Sequence, residues 1–164
     1  MAKTAGGVRQ TRPKSVAARA KDKIMMVLSD IRRQGFSRIS PFKIGSVEKR
    51  MSDFAGLNGI KLGSKDVYMS SSAIAHATRD SKQAKGLTVS DADLASFPSK
   101  RKNMDLYYDT DVKTFLYVGA GNKYAIHPNY EIKLAGGKKK IVNFVTAQKL
   151  SDKEMFNGKR YKKI

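Results

Sequence analysis

The sequence predicts an α+β domain in which N-terminal helices pack on a four-stranded antiparallel meander. Three observations carry this. Through the first half of the chain, apolar residues recur at three- and four-residue spacing, the period of a helix with one buried face. From Met104 to Leu150 they fall instead into four short runs rich in β-formers. Those runs are divided by Asp109-Thr110-Asp111, Gly119-Ala120-Gly121-Asn122 and Gly136-Gly137, all of which are turn chemistry. Helices first and strands second is the order of an α+β fold, not of alternating βα units.

Taken in order, residues 1–15 hold Lys3, Arg9, Arg12 and Lys14 and no acid, with Gly6-Gly7 and Pro13 opposing regular structure. They read as a flexible basic arm. Val16 to Gln34 carry Ala17, Ala20, Ile24, Val27, Leu28 and Ile31 at helical spacing, within an N-terminal helical segment of residues 16–41. Ser15 is the candidate N-cap, Gly35 the stop, and Arg32 and Arg33 favour the negative end of the helix dipole. The main domain then runs over 42–164. Phe42 to Gly45 read as extended, Val47 to Leu57 as a second helix, and Val67 to Met69 as a short strand. Ser70 to Lys85 read as a third helix. Ser90 to Ser96 form a fourth, with a capping box at Ser90 and Asp93 and a stop at Phe97-Pro98. Strands are expected near 104–109, 114–119, 123–133 and 140–148. Ser151 with Glu154 opens a closing helix before the basic tail Lys159 to Ile164.

The chain has 164 residues, enough for one domain, and a hydrophobic fraction of 40%, enough for a modest core. Cysteine is absent, which excludes disulfides and thiolate metal sites. No apolar run is long enough to cross a bilayer, and the basic N-terminus lacks the hydrophobic segment of a secretory signal. The expected location is therefore cytoplasmic, with no membrane partner. Lys plus Arg number 33 against 14 for Asp plus Glu, a net charge of +19. That excess implies a polyanionic partner: RNA, DNA or an acidic protein.

Two histidines, His76 and His127, are the side chains suited to proton transfer near neutrality. On its helix His76 lies about 60° from Ala73 and about 160° from Ile74, at the edge of the apolar face. It reads either as a boundary histidine bonded to Asp80 or the backbone, or as a group facing a groove. In KYAIHPNYEIK, Tyr124, Ile126, Pro128, Tyr130 and Ile132 alternate with Ala125, His127, Asn129, Glu131 and Lys133. The first set is the expected core face and puts His127 on the open one. Pro128 implies an edge strand or a bulge. Thr146 falls in register with Val142 and Phe144, a hydroxyl able to bond a phosphate oxygen. Arg79, Lys82, Arg101, Lys102, Lys123 and Lys139 are the candidate nucleic-acid contacts. P-loop, GxGxxG, GxSxG and HExxH motifs are absent, and no carboxylates cluster as in a two-metal nuclease. No metal or cofactor is expected. Cleavage without metal is open to RNA, whose 2′-hydroxyl is an internal nucleophile, given a base, an acid and donors for the phosphorane charge.

Four stretches together resemble a known family: DVYMSSSAIAHATRD, DADLASFP, YYDTDVKTFLYVGAGNKYAI and IVNFVTAQKL. They look like the phage-associated nuclease domains of the barnase–EndoU–colicin–RelE-like superfold. Such domains occur at the C-termini of Mu-type phage head-morphogenesis proteins and as toxin modules of mobile elements. The resemblance spans roughly residues 42–164. It implies helices on one face of a four-stranded antiparallel sheet and a site on the other face or its rim. It also implies metal-independent ribonuclease activity and an acidic inhibitor or immunity protein as partner. The helical histidine of that family falls on His76 and its last-strand hydroxyl on Thr146; the match extends less directly to His127 and Lys123. The main alternative is a non-catalytic nucleic-acid-binding phage or virion protein on the same scaffold. An ADP-ribosyltransferase, with Glu131 as its strand glutamate, ranks behind both.

Overall fold

The structure, a computed structural model, describes residues 14–78, 88–150, 156 and 158–164. Its α+β character is as expected, but the sheet is larger than a four-stranded meander. Seven strands are β1 (Phe42–Ser46), β2 (Asp66–Met69), β3 (Asp105–Asp109), β4 (Thr114–Gly119), β5 (Asn122–Lys133), β6 (Lys139–Lys149) and β7 (Tyr161–Lys163). They lie in the order β1-β2-β6-β5-β4-β3-β7. The meander β3 to β6 is its centre. It is extended on one side by the β1–β2 antiparallel pair, which joins β6 through a parallel β2–β6 contact. On the other side β7 adds antiparallel to β3. The sheet is therefore mixed, not antiparallel throughout. The closing strand Tyr161–Lys163 was expected as plain tail. Asp109 anchors it, accepting two hydrogen bonds from Arg160 at 2.9 Å. The closing helix expected at Ser151 lies outside the described residues.

Helix α1 (Val16–Gln34) keeps its predicted bounds. The Ser15 side chain accepts from the Ala18 amide at 3.1 Å, and Gly35, at φ 87°, ends the helix in the left-handed region that glycine adopts freely. Ala20, Ile24, Val27 and Leu28 form its buried stripe. Helix α2 spans Lys49–Leu57 and α3 spans Ser71–Thr78, the remainder of the predicted third helix lying outside the described residues. Helix α4 (Asp91–Lys100) runs through Pro98 instead of stopping before it. Pro98 is buried there, and the chain tightens directly afterwards into a 3₁₀ turn, Arg101–Asn103. Arg32 of α1 forks onto Asp91 at the start of α4, tying the two helices together.

The main core lies between these helices and one face of the sheet. Phe97 of α4 is its centre, stacked on Tyr124 at 4.0 Å and edge-on to Tyr117 at 5.6 Å. A smaller cluster, Ile132, Val142 and Phe144 with Tyr68, Ala73 and Leu134 against it, lies apart from that core.

Beneath α4 is a polar network. Arg101 is 8% exposed; its guanidinium donates to the Ser46 carbonyl at 2.5 Å and to the Tyr117 hydroxyl at 3.4 Å. Tyr117 in turn donates to Glu48 at 2.6 Å, and burial raises the Tyr117 phenol pKa, with Glu48 adding to the rise. A Cβ on Gly45 would stand 2.5 Å from an Arg101 nitrogen. Gly45→Ala is expected to push the guanidinium off these acceptors and cost about 1–3 kcal/mol, the penalty for buried polar groups losing their partners. Urea denaturation checks this; a change below about 0.5 kcal/mol, the scatter of neutral surface substitutions, would refute it.

Candidate functional site at the sheet bulge

The site is built by one irregularity in β5. Register runs from Ile126–Val145 to His127–Phe144, then jumps to Tyr130–Val142. One extra residue therefore enters at Pro128-Asn129, a β-bulge. Pro128 is accommodated here because it sits in the bulge and just past the end of the β4 pairing, where β5 is bonded on one side only. Asn129 takes φ 58°, and its side chain clamps the loop before β2: Oδ1 accepts from the Gly63 amide at 2.6 Å and Nδ2 donates to the Lys61 carbonyl at 2.8 Å.

The bulge inverts the alternation beyond it. Tyr130 and Ile132, expected on the core face with Tyr124 and Ile126, join the face of His127 instead. On β6 the same face carries Val142, Phe144 and Thr146, while Val145 and Ala147 belong to the main core. Two predicted residues are thereby brought together: His127 Nε2 and Thr146 Oγ1 share a hydrogen bond at 3.0 Å. Burial lowers the His127 pKa below its ordinary 6.5, so the ring is neutral at pH 7. Beside it, Tyr130 is stacked on Phe144 at 4.5 Å and remains 45% exposed. Next along this face, Lys140 donates to the Tyr68 hydroxyl at 3.2 Å and pairs with Asp66 at 2.9 Å. The Lys140 and Lys43 ammonium groups hold the Asp66 carboxyl below the usual range.

The other predicted residues are placed as follows. His76 is on the exposed side of α3, whose Ile74 and Ala77 face the core. Tyr68 pairs with Phe144 in the parallel β2–β6 contact. Lys123 is half-buried on β5, Lys102 is exposed in the 3₁₀ turn, and Lys139 is exposed and 3.5 Å from Glu131. Arg101 is not a surface cation: its guanidinium is inside the network beneath α4, turned away from solvent. Arg79 and Lys82 lie outside the described residues. Tyr130, Phe144 and Tyr68 went unmarked as site residues in the sequence, whereas Lys140 belongs to the lysine cluster Lys138–Lys140 able to neutralise phosphates. The Pro128-Asn129 pair was the available signal, because a bulge there reverses which later residues share a face.

Among the described residues, no group of three or more His, Asp or Glu side chains is gathered to hold a metal ion, and no helix is long and apolar enough to cross a membrane. No family model, curated protein or solved structure matches the chain.

Proposed function

We propose that the chain is a metal-independent endoribonuclease acting on the open face of its sheet at His127 and Thr146. The observation that carries this reading is the His127–Thr146 hydrogen bond, a neutral imidazole and a hydroxyl side by side on a chain of net charge +19. A neutral imidazole can take the proton of an RNA 2′-hydroxyl. The 2′-oxygen then attacks the adjacent phosphorus and the bond to the 5′-oxygen breaks. The products are a 2′,3′-cyclic phosphate and a 5′-hydroxyl, the latter receiving a proton from the conjugate acid. Thr146 donates to a non-bridging oxygen as the phosphorane charge develops. His76, exposed in the last turn of α3, is the candidate second proton-transfer group. The resemblance to phage-associated nuclease domains supports this reading and its toxin-like setting, with an acidic inhibitor as protein partner.

The test is a labelled RNA incubated in EDTA, beside the same strand carrying one 2′-deoxy residue. Cleavage is expected everywhere except after the deoxy position, with cyclic-phosphate ends. RNA left intact in all buffers refutes the reading.

A second reading is favoured by the Tyr130–Phe144 stack. An exposed ring beside basic residues is what binds single-stranded bases without chemistry. Tight RNA binding with no cleavage would select it.

A further inference from the structure

A second basic feature lies on the helical side of the same bulge. Pairing of β5 with β4 ends at Ile126–Phe115, so from His127 onward β5 has a partner only in β6. This leaves a notch in the sheet, bounded by the end of α2, the β3–β4 turn and the bulge. The notch holds a groove of about 740 Å³ with Phe54 and Tyr108 in its lining and Asn129 at its edge. Among the described residues, the charged ones of its lining are Lys61, Lys113 and Lys162, with no carboxylate. All three lysines are exposed. Lys162 donates to the Gly158 carbonyl at 2.7 Å, a neutral acceptor. Among the described acids, Asp109 and Asp111 pair with Arg160, and Asp53 pairs with Lys49.

Three like charges around one recess repel one another, and a bound anion relieves that repulsion. A recess with aromatic and aliphatic lining and a cationic rim suits a flexible strand, whose phosphates meet the rim while a base or ribose enters. A rigid duplex presents its backbone outward and cannot enter the notch in this way. The groove and His127 lie on opposite faces but meet at the bulge, since Pro128 and Asn129 line the groove and directly follow His127.

We propose that the groove of Lys61, Lys113 and Lys162 is a binding subsite for the phosphate backbone of single-stranded RNA, holding the strand that runs through the notch to His127. The proposal rests on the ribonuclease reading for the position of the scissile phosphate, but not for binding itself.

The probe is a fluorescent single-stranded 2′-O-methyl RNA ten-mer, which cannot be cleaved, with its duplex as comparison. Lys61→Gln/Lys113→Gln/Lys162→Gln is expected to weaken single-strand binding at least tenfold and to lower the slope of log K against log salt by about 2, at roughly 0.7 per phosphate contact. Lys21→Gln/Lys23→Gln/Lys100→Gln removes the same charge elsewhere and is expected to do much less. Equal effects of the two triple variants, equal affinity of wild type for single strand and duplex, or no binding by wild type would each overturn the proposal. Cleavage of ordinary RNA separates the two readings. If the groove variant binds and cleaves as wild type does, the groove fails and the ribonuclease stands. If wild type binds through the groove but never cleaves, the groove stands and the ribonuclease fails.

Discussion

His127→Ala is expected to lower RNA cleavage by about 10²–10⁴-fold, the usual contribution of one general acid–base group, while the protein stays folded. The imidazole is half-buried and its described hydrogen bond is to Thr146, so truncation removes little packing. Thr146→Val, which keeps shape but not the hydroxyl, is expected to lower kcat with less effect on KM, because its donation strengthens as charge develops. His76→Ala asks whether the second proton is handled on α3. If it acts there, the loss is comparable and is not additive with His127→Ala. The pH profile gives a separate check. The neutral form of His127 is the base, and burial lowers its pKa below 6.5. The acid limb of activity is therefore expected to have its midpoint below 6.5. The same shift acts on stability: the unfolded chain takes up the proton first, so this contribution is present above about 6.5 and is lost as pH falls through the depressed folded value. An acid limb at or above pH 7, or full activity in His127→Ala, would remove His127 from the mechanism.

Phe97→Ala is expected to cost about 3–5 kcal/mol, the range for emptying a fully buried aromatic site. Phe97 is 0% exposed and meets two aromatic rings of the sheet, Tyr124 and Tyr117. It also bridges α4 to β4 and β5, so the cavity would open at the joint between layers. In a chain of this size each kcal/mol moves the melting temperature by roughly 2–4 °C, giving a fall of about 6–20 °C by calorimetry. Phe97→Leu, which refills most of the volume, is expected to recover more than half. A loss under about 1 kcal/mol would mean the site collapses freely, and the stacked arrangement would not be what holds α4 in place.

The helix of Val16–Gln34 and the central meander were legible because their signals are local: one apolar stripe with caps, and short runs between turn residues. The strands at Phe42 and Val67 were legible too, but pairings between distant segments were not. Nothing near Val67 marks the parallel partner it finds at Asn143, and a strand as short as Tyr161–Lys163 between lysines has no apolar pattern to show. Arg101 looked like one more surface cation in Lys100-Arg101-Lys102. Its acceptors, Ser46 and Tyr117, come from other parts of the chain. Of the candidates His76, His127 and Thr146, the structure brings His127 and Thr146 into hydrogen-bond contact, and the aromatic pair beside them was not marked. The expected alternation ran straight through Pro128-Asn129, whereas the backbone gains a residue there and turns Tyr130 and Ile132 over.

The parallel β2–β6 contact also constrains how the chain reaches its native state. It joins Val67 to Asn143, so the ends of a long intervening segment must meet before the contact returns any free energy. On a ribosome the N-terminal strand pair emerges well before β6 exists, and waits with one edge uncovered. Long-range closure of this kind slows folding relative to helical proteins of similar size. The antiparallel meander, whose neighbours are adjacent in sequence, is accordingly expected to form first, with β1–β2 docking onto it last. Hydrogen-exchange labelling during refolding should show amides of β4 and β5 protected before those of β2.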